Sequence, residues 1–348
     1  MFMSMYNFKK VPLSEHDKLV KFIDEHWKKN HALVMSDSLL KFQHFSEVDN
    51  CYNFIVAQDE ESDEYDAIVG YIPVYQYDST LKCNGDYWGA IWKYREDSVN
   101  PNINAAALYI WKKLFKLPNF QSYAAIGISD IAKKIYEVYR MKLGYLSQYY
   151  IMNDCYDKYL IACNVPKLQN NTKEIDNNYE VKFVEFSDDL KNIRPYYRPY
   201  KSIEYFRKRF VEHPVYNYKF IAVFEKGVIL SIWACRIVKA KGSKVIRVMD
   251  VIGKLDGYIY PQILKLLYDH ECEYLDIMNY GIDENVFLNM GFQKLDVNGS
   301  LILPNYFEPF EQRNVRIGLA YKANYSNYVA FKGDSDQDRP NIINSKDD

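Results

Sequence analysis

An excess of positive charge, paired cysteines and long apolar runs are all missing from this chain, and each absence removes a class of function. Lys and Arg number 44 against 46 Asp and Glu, a formal net charge of −2, so no long-range field pulls the chain toward nucleic acid or an anionic membrane. The six cysteines (Cys51, Cys83, Cys155, Cys163, Cys235, Cys272) form no CxxC pair and sit beside no His at ligand spacing. That argues against a metal site and for reduced, mostly buried thiols. No segment is apolar over the length that spans a bilayer, and MFMSMYNFKK carries no secretory core. A soluble, cytoplasmic protein, monomeric or dimeric, is expected. Tyrosine, by contrast, is abundant at 33, with 19 Phe. Such rings suit sheet surfaces and clefts that grip polar organic ligands.

The most informative stretch is Asp86–Phe115. Trp88, Ala90, Trp92 and Tyr94 alternate with Gly89, Ile91, Lys93 and Arg95, a strand pattern that predicts one face for the first set. Ala107, Leu108, Trp111, Leu114 and Phe115 then recur at helical spacing, with Asn102 or Asn104 as N-cap. A strand delivered straight onto a helix N-terminus presents unpaired N–H groups and the positive end of a dipole, a seat for phosphate.

Around it, the chain reads as a helix over Ser14–Lys28 capped by Ser14, and a short helix near Asp37–His44. Strands follow at Asn53–Gln58 and Ala67–Tyr77, then a strand at Tyr123–Ile128 and a helix at Asp130–Met141 with Ile131, Ile135 and Val138 apolar. Gln148–Asn153 and Tyr159–Cys163 are expected to pair as terminal strands. The polar break 166–178 reads as a linker between domains 1–165 and 179–348. The second half repeats the order: strands Lys219–Phe224 and Val228–Val238 about a Lys226-Gly227 turn, strand Lys244–Ile252, helix Pro261–His270, strand Tyr274–Met278, helix Glu284–Met290. The basic-aromatic run Arg194–Arg209 is expected to be a solvated, partly helical face. After Lys332 the tail is polar, its end expected to be mobile and its DQDRPN portion a candidate to dock on the fold. Two copies of one supersecondary plan is the simplest account.

Each half resembles the GNAT acyltransferase fold, an α/β (α+β) plan of mixed, mostly antiparallel twisted sheet flanked by helices. Local strings resemble those of tandem-GNAT proteins of nucleotide-sugar and surface-polysaccharide assembly: His26–His31 (HWKKNH), Val69–Pro73 (VGYIP) with Asp78, Ile91-Trp92-Lys93, Tyr149–Asn153 (YYIMN), Pro304–Phe310 (PNYFEPF), and the tail Phe331–Asp334 through Asp338–Asn341. The resemblance spans nearly the whole chain. It implies a sugar N-acyltransferase that moves an acetyl or 3-hydroxybutanoyl group from acyl-CoA to a dTDP-linked 3-amino-3,6-dideoxyhexose, with no nucleic acid or membrane partner. A tandem-GNAT enzyme that takes its donor from aminoacyl-tRNA, or a non-catalytic scaffold, are the alternatives.

What the resemblance implies for residues is specific. CoA would lie along Trp92, Lys93, Tyr94 and Arg95 and against Ala125–Gly127, its phosphates on Asn102, Ile103, Asn104, Ala105 and Ala106. That loop has no glycine where the family's is glycine-rich. The matching second-half loop, Gly253–Gly257, precedes bulky Tyr258-Ile259-Tyr260 and reads as the weaker site. Tyr136 stands where GNAT enzymes keep a tyrosine near the leaving sulfur, although Arg140 replaces a glycine expected four residues on. His26 and His31 are candidate bases, with Glu96 and Asp97 as alternatives. Arg95, Arg236 and Arg247 are available for a diphosphate, Trp92, Tyr71 or Tyr306 for stacking, and Asn279 for a polar contact.

Overall fold

Two sheets of one plan account for the repeated order. The structure, a computed structural model, describes residues 6–167, 178–341 and 343, so most of the expected linker and the end of the tail lie outside the described residues. The first half runs β1 (Tyr6–Pro12), α1 (His16–Phe22), α2 (Ala32–Met35), α3 (Asp37–His44), β2 (Phe45–Ser46), β3 (Cys51–Asp59), β4 (Tyr65–Pro73), β5 (Asp86–Tyr94), α4 (Ile103–Lys113), β6 (Ser122–Ile126), α5 (Asp130–Val138), β7 (Lys142–Tyr145) and β8 (Ser147–Met152). The second runs β9 (Tyr179–Val184), α6 (Ile203–Phe206), β10 (Lys219–Glu225), β11 (Val228–Ala240), β12 (Ser243–Gly253), α7 (Tyr260–Asp269), β13 (Tyr274–Tyr280), α8 (Glu284–Met290), β14 (Gln293–Lys294), β15 (Tyr306–Phe307), β16 (Phe310–Glu311), β17 (Gly318–Ala323) and β18 (Ala330–Phe331). No helix among the described residues is long and apolar enough to cross a membrane.

The first sheet has the order β1-β3-β4-β5-β6-β17-β7, the second β9-β10-β11-β12-β13-β8-β14. Each contains one parallel pair, β5–β6 and β12–β13. The strand beyond that pair comes from the other half of the chain: β17 enters the first sheet and β8 the second. This corrects the expected pairing of Gln148–Asn153 with Tyr159–Cys163. Gln148 through Met152 are all buried, which demands an interior strand position. The Tyr159–Cys163 segment forms no strand; its Leu160, Ile161 and Ala162 amides instead donate to the buried Glu273 carboxylate.

The sheets pack face to face through Trp88, Ala124, Phe220, Ile232, Met249 and Met278. Helices α4 and α5 cover the outer face of the first sheet, and α7 and α8 that of the second. Other expectations fail locally. Ser14–Lys28 is a 3-10 turn, α1 and a π turn (Ile23–Trp27), and Ser14 caps nothing. The run Arg194–Arg209 is solvated and helical only in part: Arg194, Tyr196, Arg198, Tyr200 and Lys208 are exposed and Ile203–Phe206 is helical, but counter-charges reach the rest from afar. Lys201 sits between Asp250 and Asp334, and Arg209, Tyr205 and Phe206 are buried. Of the cysteines only Cys235 and Cys272 are buried, while Cys83 and Cys155 are exposed.

Asp86, at the start of β5, is buried and accepts hydrogen bonds from Ser122 Oγ (2.5 Å) and Tyr325 OH (3.0 Å), joining β5, β6 and the segment after β17. Burial pushes its carboxyl up to about 6. A carboxyl raised in the fold is destabilising when ionised: the penalty is absent below the unfolded value and complete above the folded one. Asp86→Asn keeps the accepting oxygen, so it is expected to raise the unfolding free energy by about 1–3 kcal/mol at pH 8. That gain should vanish near pH 4, as read by urea unfolding at the two pH values.

Candidate active site

Parallel pairing of β5 with β6 runs from Asp86–Ser122 to Gly89–Ala125 and stops there. The cause is a bulge. Val69 of β4 faces Trp92 and Tyr71 faces Gly89, so Ala90 and Ile91 together stand opposite Gly70. Gly70 permits it, since a Cβ there would lie 2.6 Å from the Phe54 ring. The extra residue reverses the side-chain alternation. Trp88 and Trp92, expected on one face, lie on opposite faces: Trp88 is in the inter-sheet core, and Trp92 stacks on Trp111 of α4 at 5.3 Å.

Past the parting, a groove of about 550 Å³ lies between the end of β5, α4 and α5. Trp92, Lys93, Tyr94, Glu96 and Asn104 line one side, and Ser129, Ile131, Ala132, Ile135, Val138 and Tyr139 the other. The apolar stripe of α5 faces this space and not the core: Ile131 is 76% and Val138 77% exposed. A helix that turns its apolar stripe to an open groove wants an apolar occupant. At the groove's end stands the N-terminus of α4. Asn102 is the N-cap residue but its side chain caps nothing, and the Asn104 and Ala105 amides have no acceptor among the described residues. The glycine-free loop is held instead by its own side chains: Ser98 Oγ donates to Asp66 (2.9 Å), and Asn100 Oδ1 accepts from the Asn102 amide (3.0 Å).

Of the residues implied for CoA, Trp92, Lys93, Tyr94 and Asn104 line the groove and Ala105 is exposed at its end, while Ile103 and Ala106 are buried under the helix. Arg95 turns away to Asp97 and Asp66. Tyr136 is in the aromatic layer behind the groove, 5.6 Å from the Trp111 ring, with its hydroxyl raised well above the ordinary value by burial. His31 is buried and caps α2, accepting from the Leu33 amide at 3.3 Å. Burial, and then Arg339, pull its pKa down to about 3, so it stays neutral and is a poor proton acceptor. His26 packs on Phe22, with Nδ1 3.9 Å from Asp97. Glu96 is in the groove wall, paired with Lys93.

The C-terminal segment closes the inner end of the parting. Ser335 Oγ donates to Gly89 O (2.7 Å), and Gln337 Nε2 donates to Ile126 O (2.9 Å). Gln337 lies so near Gly127, which has φ 74°, that a Cβ there would come within 2.7 Å of it. Thus DQDRPN does lie against the fold. Beyond Gln337 a smaller cavity of about 40 Å³ brings together Arg236, Arg247 and Tyr306. Tyr71 and Asn279 are not part of it: both are buried, Tyr71 edge-on to Tyr87 under the first sheet and Asn279 on β13 beside β18.

In the second half the equivalent parting is filled. β18 pairs with β13 at Asn279 and Tyr280, and the next two amides reach both strands, Lys332 to Met278 O (3.1 Å) and Gly333 to Met249 O (2.7 Å). Sequence reasoning missed the α5 groove wall and the tail's side chains. Ile131, Ile135 and Val138 were visible as a stripe, but Tyr136 and Ala132 supply a second apolar face that the core uses.

No protein-family model matches the sequence, and no curated protein matches it. Solved structures do. A GCN5-related N-acetyltransferase from Anabaena variabilis ATCC 29413 superposes with TM-score 0.53 at 8% identity over 91% of this chain and 72% of that one. A conserved protein of unknown function from Enterococcus faecalis V583, described as a probable N-acyltransferase, gives 0.53 at 8% over 92% and 73%. The chain has the GNAT fold. At this identity the likeness carries the fold alone, in two copies whose partings differ: the first opens on a groove and the second holds β18.

Proposed function

We propose that the protein is an acyl-CoA-dependent N-acyltransferase whose donor site is the first-half groove. One observation carries the reading: the parting of β5 and β6 opens on a groove with an apolar stripe along one wall and, at its end, helix amides that have no acceptor among the described residues. Those features match the two chemistries of an acyl-CoA, an extended pantetheine and a pyrophosphate. Trp92, Lys93 and Tyr94 would flank the pantetheine, Ile131, Ile135 and Val138 would cover it, and the Asn104 and Ala105 amides would meet the phosphates. When bound, the donor supplies a thioester that a neutral amine attacks. The protein's part is to place that carbonyl, exclude water and take up the amine's proton, for which the candidates are Glu96 in the groove wall and His26 beside Asp97.

For the acceptor we propose a nucleotide-linked amino-deoxy sugar, dTDP-linked in the reading the local strings imply, acylated for surface polysaccharide in the cytoplasm. The cavity beside the parting, where Lys332 lies over Tyr306, supports an anionic, ring-bearing acceptor. A thiol-release assay with acetyl-CoA and 3-hydroxybutanoyl-CoA across nucleotide amino sugars tests the pairing. Turnover with an amino sugar and none with the matching hydroxy sugar is expected; turnover with none of them sinks the acceptor assignment. Ile131→Ser with Val138→Ser is expected to weaken acetyl-CoA binding about tenfold through lost apolar contact. Because both side chains are exposed, its melting temperature should match the parent's.

A further inference from the structure

The small cavity beyond Gln337 holds one cation without a hydrogen-bonded partner among the described residues. Three guanidiniums in its wall are committed to four carboxylates. Arg247 makes a two-point bond with Asp276 (both 3.0 Å) and donates to Asn305 O (2.7 Å). Arg236 bridges Asp338 and Glu308 (2.9 Å each), and Arg339 pairs with Asp336. Lys332 has no such partner. It is 5% exposed, and its ammonium makes no hydrogen bond or ion pair among the described residues; it lies over the face of Tyr306, 5.2 Å from the ring centre. Burial, and then Arg247, push this amine down to about 8.

Asp276, Asp336, Asp338 and Glu308 match the four cations in number, but an ammonium buried without a hydrogen bond is costly unless a partner meets it. At about 40 Å³ the cavity exceeds the space of one water (about 10–15 Å³ on the same measure) and suits a tetrahedral oxyanion. Gln337 is both a wall of this cavity and the donor to Ile126 O, so the cavity is one side chain from the point where β5 and β6 part.

We propose that the cavity around Lys332 is a phosphoryl-binding subsite, with Lys332 as its anchoring cation, that holds the phosphorylated end of the acceptor beside the acyl-transfer point. The words "acceptor" and "acyl-transfer" rest on the function proposed above; the affinity for a phosphoryl group does not. Arg236 and Arg247, the residues that sequence points to for a diphosphate, are neutralised within the fold, and the uncommitted charge is on Lys332.

The test uses the full chain and three probes: inorganic phosphate, thymidine diphosphate and thymidine. Binding is read by calorimetry and melting temperature, and the state of Lys332 by its ¹³Cε titration in lysine-labelled protein. Phosphate should bind, raise the melting temperature, and move the Lys332 midpoint upward from about 8. Lys332→Met should weaken phosphate at least about tenfold, the scale of a lost charge-assisted contact. Lys332→Arg should restore part of it. Thymidine diphosphate binding more tightly than phosphate identifies a nucleotide as the source, and equal affinities identify free phosphate. No binding of phosphate or thymidine diphosphate by the parent, or unchanged binding by Lys332→Met, overturns the proposal. Acetyl-CoA titrated into the same samples reads the donor groove separately, so failure of the subsite and failure of the acyltransferase reading give different patterns.

Discussion

Glutamate at both Asn104 and Ala105 should lower acetyl-CoA affinity by about 100-fold while leaving the melting temperature equal or slightly higher. The two effects have opposite signs because they act on one dipole. Both side chains are exposed in the first turn of α4, whose amides at these positions have no acceptor among the described residues. An acidic side chain there satisfies the helix end and stabilises it by about 0.3–1 kcal/mol. The same carboxylates occupy the seat proposed for the pyrophosphate and repel it. At an effective dielectric of about 20 a like charge a few ångströms away costs a few kcal/mol, less at a solvated site, so two together account for the loss. Calorimetric titration gives the affinity and thermal melting the stability. A stability loss would mean that α4 begins differently, and unchanged affinity would mean that the phosphates go elsewhere.

Lys201→Met should cost about 3–5 kcal/mol of folding stability at pH 8. Lys201 Nζ is 2.7 Å from Asp250 and 2.6 Å from Asp334, and both carboxylates are fully buried. The trio ties the Arg194–Arg209 segment to β12 and to the tail. Methionine fills the volume and leaves two carboxylates facing each other without a cation. Burial already raises Asp250 in the parent. Without Lys201 it rises further, so the variant's deficit is complete above that raised pKa and shrinks as pH falls and the carboxyl is protonated. Urea unfolding at pH 8 and pH 5 should therefore show the larger difference at pH 8. Equal differences would assign the effect to packing alone.

Local order was legible wherever neighbours in sequence decide it. The alternation in Asp86–Tyr94, the helical spacing of Ala107, Trp111 and Leu114, and Gly291 after Met290, in the left-handed region at φ 97°, each placed an element within a few residues. What escaped depends on partners far along the chain. Nothing in Ser147–Met152 announces β13 as its neighbour rather than a strand of its own half. The β5 bulge needed Gly70 and Phe54 to be seen against Trp92. The Lys201 and Arg209 charges looked solvated because Asp250, Asp334 and Asp338 lie 49 or more residues away. The candidate site was half visible for the same reason. Its strand and helix amides are local, whereas Ser335, Gln337 and Lys332 reach the parting and the small cavity only after the chain has crossed both sheets.

The central claim is that the first copy, and not the second, takes the acyl donor. Acetyl-CoA titrated into the parent, into Ile131→Asp and into Lys254→Glu decides it, because Ile131 lines the first groove and Lys254 follows β12 in the second copy. One molecule per chain should bind the parent and Lys254→Glu alike, with at least about a tenfold loss in Ile131→Asp. Loss in Lys254→Glu with full binding in Ile131→Asp, or no binding by the parent, would contradict the account.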